Sequence, residues 1–242
     1  MNIIRAEIYK LRSSKTYLNI NLLIMGLSVA YAVYLKFFTN ITGKEFVERV
    51  LPEKMELVLV ISLLFSFVYL DEYRYNTIKN QISIIGNRNR LYLAKAVFQF
   101  AITLLSYAVA AGIFIIVYLV LPKGENDKSG LIAELLVFLA GFAVVLLRAL
   151  ALINLLSILT KSYLIVSLFF IVFSNLVNLF LSLVGVHIEC VGKLIKYTLQ
   201  SEATTLMKTV QNGEVSGFLV RNIVIVVVIY GIVCIGNHVK YR

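Results

Sequence analysis

The sequence predicts an all-α polytopic membrane protein: six transmembrane helices, an N-terminal interfacial helix, and an amphipathic outer helical segment before the sixth span. Two observations carry this expectation. Of the 242 residues, 60% are hydrophobic and only 15% are charged, against about half and about a quarter in average soluble domains. The charges are also segregated, with long stretches that carry none and Lys and Arg gathered in the gaps between them. A soluble core could not hide so much apolar surface without a polar shell to cover it, whereas lipid can.

A spanning helix needs about 20 apolar residues to cross about 30 Å of hydrocarbon. Six segments meet that length: Tyr17–Phe38, Pro52–Leu70, Lys95–Leu121, Leu131–Leu159, Tyr163–Val186 and Phe218–Gly236. The second is the weakest, because its uninterrupted apolar part runs only from Leu57 to Leu70. Pro52, a good first helical position, adds a turn that places Glu53, Lys54 and Glu56 near the headgroups. The third and fourth are long enough to tilt or to project into water.

Residues 1–15 precede the first span. Met1, Ile4, Ile8 and Leu11 form an apolar stripe at helical spacing, opposite Arg5, Lys10 and Arg12. This pattern fits a helix lying on the inner leaflet, and a merely basic juxtamembrane tail is the plainer alternative. The first apolar run is too long for a signal-peptide core, and no small-residue cleavage site interrupts it before Lys36. No separate exported domain is therefore expected.

With the N-terminus inside, Arg5, Lys10, Arg12, Lys15, Arg74, Lys79, Arg88, Arg90, Lys95, Lys161, Lys240 and Arg242 are cytoplasmic, opposed only by Glu7, Asp71 and Glu72. The positive-inside rule then favours both termini in the cytoplasm of a bacterial cell. Two inter-span segments are longer than turns: Asp71–Ala94 inside and His187–Gly217 outside. In the latter, Ile188, Val191, Ile195 and Leu199 line one helical face, followed by Leu206, Met207 and Val210. One or two amphipathic helices resting at the outer surface, broken near Gly213, are expected.

Several function classes are excluded. The net charge of +10 is split among short inter-span segments and forms no contiguous basic face, so nucleic acid is not a partner. No G-x-x-x-x-G-K-[ST] occurs, so this chain has no P-loop to cradle ATP. No HExxH occurs, and His187 and His238 stand near opposite membrane faces, which makes a zinc site implausible. Cys190 and Cys234 are likewise expected on opposite faces, so no disulfide is implied. No catalytic constellation, metal site or cofactor site is visible.

The most informative stretch runs from Asp71-Glu72-Tyr73-Arg74-Tyr75-Asn76-Thr77-Ile78-Lys79-Asn80 to Asn87-Arg88-Asn89-Arg90-Leu91-Tyr92-Leu93-Ala94-Lys95. It resembles the segment between the second and third spans of ABC-2 type permeases, the membrane subunits of ABC transporters. There an acidic residue, a few positions, Gly-Thr, a basic-rich turn and a Lys open the third span. Glu72, Thr77, Arg90 and Lys95 match in kind and order. Asn76 stands where that family has glycine, and Asn tolerates the left-handed conformation better than most residues. The resemblance extends to the N-terminal helix with Glu7 and Lys10-Leu11-Arg12, the six spans and the helical outer segment. In size the chain is similar to the small permeases of bacteriocin and lantibiotic self-protection transporters. The EAA-x₃-G loop of importers is absent, which favours export.

The resemblance implies that Asp71–Ala94 is a coupling element docked in a groove of a separate ATPase, with Glu72, Arg74, Tyr75, Thr77, Ile78, Arg88 and Arg90 as its contact residues. ATP would then bind on that partner and not on this chain. It further implies two ATPase copies and a second permease chain, either identical or a sister. The plainer reading of the segment is a solvated basic loop that fixes topology. An ATP-independent immunity or binding protein and a small intramembrane enzyme are the functional alternatives.

Within the spans, Arg148 lies some eleven residues from Leu159, about 16 Å deep. A lone cation there costs several kcal/mol (about 2.5–3.5 or more) unless paired or hydrated. Glu134 is about 21 Å away along the same helix and cannot be its partner. A structural tether and a transport role both remain open for Arg148. Gln99, Thr103 and Ser106 share a face of the third span, as do Ser167, Ser174, Asn178 and Ser182 on the fifth. Such small polar stripes mark helix packing or, more sharply, a translocation path. The 14 tyrosines read as interfacial anchors.

Overall fold

The computed structural model describes all residues except 1–2, 14, 40, 75–80, 84–85, 123–129, 173–180, 182, 184–197 and 240–242. Every element among them is helical. Helix α1 (Ile3–Ser13) precedes α2 (Thr16–Phe38), and a short turn over residues 43–50 leads into α3 (Leu51–Leu64) and α4 (Phe67–Arg74). Then follow α5 (Arg88–Val120), α6 (Leu131–Thr160), α7 (Tyr163–Ile171), α8 (Leu199–Asn212) and α9 (Val215–Val239).

Helix α6 is the hub, packing against α3, α4, α5, α7, α8 and α9. Its composition explains this role. Leu135, Phe138, Phe142, Val145, Ala149 and Ile153 are fully buried and follow one another around a broad face of the helix. Helix α2 packs mainly on α5, and most of its large side chains (Leu18, Leu22, Leu27, Val33) stay exposed. In a lipid-embedded chain such apolar exposure carries no penalty, because the tails are as apolar as leucine.

Among the described residues, four helices are long and apolar enough to cross a membrane: Tyr17–Phe38, Asn89–Val120, Leu131–Thr160 and Val215–Ile235. These coincide with four of the six expected spans. The expected second span, Pro52–Leu70, folds as two helices separated by a turn at Phe65–Ser66. There Phe65 sits at φ −88° and ψ 7°, off the helical path. Ahead of it, Pro52 lacks the N–H that would continue the ladder, and residues Phe46–Val50 wind as a wider π-type turn. The expected fifth span is described as a helix over Tyr163–Ile171, and most of its remainder lies outside the described residues.

The folded chain adds to one expectation and changes another. In α1 the docked face is Ile3, Glu7 and Leu11, with Glu7 buried, while Ile4 and Ile8 of the expected stripe are 40% and 50% exposed. The helix is rotated so that Glu7 meets a lysine on α5, leaving an open apolar face beside it. The outer amphipathic helix differs. Helix α8 does not rest on a surface: Leu199, Ala203, Leu206 and Met207 are buried against α3 and α6. The expected break at Gly213 is present, at φ +76°, a conformation that glycine adopts without a Cβ clash. Gly213 N–H donates to the Val210 carbonyl at 3.2 Å and Glu214 N–H to the Thr209 carbonyl at 2.9 Å, closing the end of α8. Helices α8 and α9 thus form a hairpin whose tip is Gly213.

The close approach of α8 to α6 depends on Gly141. A Cβ at this position would stand 2.9 Å from Leu206 Cδ1 and 3.2 Å from Cδ2, and Leu206 is fully buried. Small residues at such a crossing let helices approach where lipid supplies no hydrophobic driving force. Gly141→Leu is expected to destabilise the fold by about 1–3 kcal/mol through overpacking. Adding Leu206→Ala should recover part of the loss. Thermal unfolding of the detergent-solubilised protein checks this, and an unchanged midpoint in the single variant would remove Gly141 as the contact that seats α8.

Candidate functional site

Two polar constructions stand out, one beside the middle of α6 and one where α1, α4, α5 and α7 meet. The first centres on Arg148. It lies seventeen residues into α6, about 26 Å from the Leu131 end. Its Nη1 donates to Glu202 Oε1 at 2.5 Å and to Asn222 Oδ1 at 3.1 Å. Arg221 Nη2 donates to Glu202 Oε2 at 2.8 Å, and Asn222 Nδ2 donates to the same oxygen at 3.2 Å. Glu202 and Asn222 are fully buried, Arg148 nearly so, and Arg221 about one-third exposed over the Phe218 ring at 5.0 Å.

The chemistry of this cluster is that of a shared anion. One carboxylate accepts from two guanidinium groups and an amide, so three helices (α6, α8, α9) converge on Glu202. Among the described residues, two cations share this one anion. Breaking such a buried pair is far costlier than forming it is favourable, since the remaining charge has no water to turn to. A further tie, Asn154 Nδ2 to Tyr230 Oη at 3.1 Å, joins α6 and α9 one level along.

The second construction surrounds the segment Asp71–Ala94. Lys95 is fully buried near the start of α5, and its Nζ donates to Glu7 Oε1 at 2.8 Å. Lys10 joins the same oxygen at 3.1 Å. At the other end of the segment, Tyr163 Oη donates to Asp71 Oδ1 at 2.7 Å, linking α4 to α7. Asn87 caps α5 by accepting from the Arg90 N–H at 3.2 Å. One turn beyond Lys95, the buried Gln99 Nε2 donates to the Phe65 carbonyl at 3.1 Å, at the turn that separates α3 from α4. Both ends of the segment are therefore fastened to neighbouring helices by buried or half-buried polar contacts.

Each residue singled out from the sequence can now be located. Glu72 and Arg74 lie in the last turn of α4 and Arg88 opens α5. Arg90 is exposed. Tyr75, Thr77 and Ile78 fall outside the described residues, as do Ser174 and Asn178 of the fifth-span stripe and Cys190. Gln99, Thr103 and Ser106 share the buried face of α5. Thr103 and Ser106 donate back to the carbonyls of Gln99 and Ile102, at 2.8 and 3.0 Å, so their hydroxyls are satisfied within the helix. Lys95, counted from the sequence among the cytoplasmic charges, is buried with Glu7.

The partners of Arg148 were not identified from the sequence. The signal was present: Glu202 is one helical step from Leu199, Ala203 and Leu206, on the apolar face of α8 rather than its polar one. An acid on that face requires a buried cation, and Arg148 stands well inside an expected span. The rotation of α8 toward α6 that unites them is a tertiary event.

A family described as "ABC-2 family transporter protein" matches residues 3–178. The matched region contains α1 to α7, and so Arg148 and both ends of the Asp71–Ala94 segment, but ends before Glu202. No curated protein and no solved structure matches the chain.

The shared carboxylate predicts an asymmetry between its partners. Glu202→Gln removes the carboxylate that two neighbouring guanidinium groups share, and should lower stability by about 3–5 kcal/mol or abolish folded yield. Arg148→Met leaves Glu202 with Arg221 and Asn222, and should be milder. Thermal melts and detergent-extracted yield give the order. Equal or reversed losses would show that the carboxylate is not the common anchor.

Proposed function

The chain belongs to the ABC-2 family of transporter proteins and is a membrane subunit of an ABC transporter; on that premise we propose that it is the permease of an ATP-driven exporter. In this reading the six-span chain sits in a bacterial cytoplasmic membrane with both termini in the cytoplasm. It pairs with a second permease chain and with two copies of a separate P-loop ATPase, which binds the ATP. The cargo is an amphipathic peptide antibiotic or a lipid-like molecule, drawn from the membrane rather than from water.

The observation that carries the reading is the fastening of the Asp71–Ala94 segment at both ends. A lever must be stiff where it joins what it moves. Asp71 is tied to Tyr163 on α7, and Lys95 to Glu7 on α1. Gln99 on α5 holds the carbonyl at the α3–α4 turn. A push on the segment would therefore reach α1, α3, α5 and α7 together without crossing the bilayer. A loop that only fixes topology needs positive charge but no such attachments. Transmission to the remaining spans would run through α6, which touches α3, α4, α5 and α7.

Docking on the ATPase would rest on mixed contacts. Near-surface ion pairs are worth about 1 kcal/mol or less each, so Tyr75 and Ile78 would supply much of the affinity and Glu72, Arg74, Arg88 and Arg90 the orientation, with Thr77 at the turn. Arg148 would act here as the tether of the α8–α9 hairpin to the hub helix. Gln99 and Thr103, with Ser174 and Asn178 on the fifth span, would line the packing seams along which spans shift.

Charge reversal at Glu72 together with Arg90, or polar replacement of Tyr75 and Ile78, is expected to leave membrane insertion normal. The same variants should lose the partner ATPase in pull-downs and reduce cargo-stimulated ATP hydrolysis in reconstituted vesicles. Wild-type co-purification and stimulation would refute the coupling role and favour the ATP-independent immunity protein.

A further inference from the structure

Between α2, α3 and α5 lies a cavity of about 460 Å³ that the transport reading leaves unused. It falls within the range of small-molecule sites, about 300–1,000 Å³. Its floor is buried and apolar (Ile24, Val58, Ile61, Phe114), and its rim is formed by exposed Leu27 and Val60. It is therefore a groove on the side of the helix bundle and not a central chamber.

The groove has a direction. Tyr17 at the start of α2 meets Phe65 at the end of α3, their ring centroids 5.9 Å apart, so the two helices run antiparallel; Tyr31 of α2 and Lys54 of α3 fall at one end of the groove, while Leu23 and Leu64 fall at the other. From Lys54 to Leu64 is ten residues, about 15 Å of helix. One leaflet of a bilayer holds about half of 30 Å of hydrocarbon. The groove is thus one leaflet deep, apolar along its length, and carries its cation at the polar end. Lys54 is exposed and makes no ion pair with a described residue, whereas the adjacent Glu53 is engaged by Arg49 at 3.8 Å. The charged side chain that lines the groove at that end is Lys54.

We propose that this groove is a binding site for an anionic phospholipid of the surrounding membrane, one acyl chain lying between α2 and α3 and the phosphate against Lys54. A zwitterionic lipid would fill the groove with its chain but gain less from the lysine. An unpaired lysine near the membrane surface is worth about fivefold in affinity for an anionic headgroup. The inference is independent of whether the assembly exports.

The chain contains no tryptophan, so Val60→Trp on the rim gives a single fluorescent reporter. Leu27→Trp on the facing wall replaces it if the first variant does not fold. The reporter is reconstituted in phosphatidylcholine vesicles containing increasing brominated phosphatidylglycerol or, separately, brominated phosphatidylcholine. Half-quenching is expected at about fivefold less of the anionic lipid. Lys54→Gln should remove that preference, and Lys36→Gln, a cation on α2 that does not line the groove, should leave it. Equal quenching by both lipids overturns the site. So does a preference that survives Lys54→Gln, or one lost equally in Lys36→Gln, since either marks diffuse attraction to a basic protein. Quenching by neither lipid would mean that protein covers the groove, and also overturns the proposal.

Discussion

The arrangement of α6, α8 and α9 depends on one constraint: a carboxylate buried among apolar helices must be surrounded by donors. Glu202 receives Arg148, Arg221 and Asn222, and only one placement of α8 brings these together. The helix has to lie beside the middle of α6 instead of across its end, which in turn requires a glycine at 141 where Leu206 crosses. Gly213 then turns the chain so that α9 can descend with Arg221 and Asn222 in its first turns. Sequence, turn and ion cluster form one solution. Among lipid tails, where apolar contact alone distinguishes poorly between helix registers, such polar ties select a single packing.

A second set of ties operates where α1, α4, α5 and α7 meet, and it has a different character. Glu7–Lys95 and Asp71–Tyr163 each join two elements near their ends, whereas the Glu202 cluster gathers three helices along their length. Gln99 adds a further contact, donating to the Phe65 carbonyl, which also accepts from the Val68 N–H, where the second expected span breaks. A broken helix whose turn is held by a neighbour can bend without exposing its backbone to lipid. The molecule thus combines a multiply tethered hub with an end that is fastened but interrupted.

Legibility differed between these regions for physical reasons. Apolar runs of bilayer length identified Tyr17–Phe38, Lys95–Leu121, Leu131–Leu159 and Phe218–Gly236, because hydrophobic length is a local property that lipid reads directly. The Gln99–Thr103–Ser106 face was legible for the same kind of reason, as helical spacing alone puts those residues together. The turn at Phe65–Ser66 was not, since neither residue is a strong helix breaker and the turn is held by a side chain from another helix. The face by which α1 docks on protein was not legible either. Its apolar stripe is local, whereas its docking is decided by Glu7 meeting a lysine 88 positions away.

The sequence by itself determined the class of molecule, the positions of its long apolar helices, the break at Gly213, and the isolated cation at Arg148 that had to find a partner. It also contained the acidic, aromatic and basic pattern between the second and third spans that resembles the ABC-2 permeases, whose family matches residues 3–178. What only the tertiary structure decided is which groups meet. Amphipathic spacing in Leu199–Asn212 fits a helix on a surface as well as one against protein, and the choice turns on a carboxylate and a guanidinium 54 residues apart. A buried charge states a need that is visible in one dimension. Which neighbour satisfies it is fixed by packing in three.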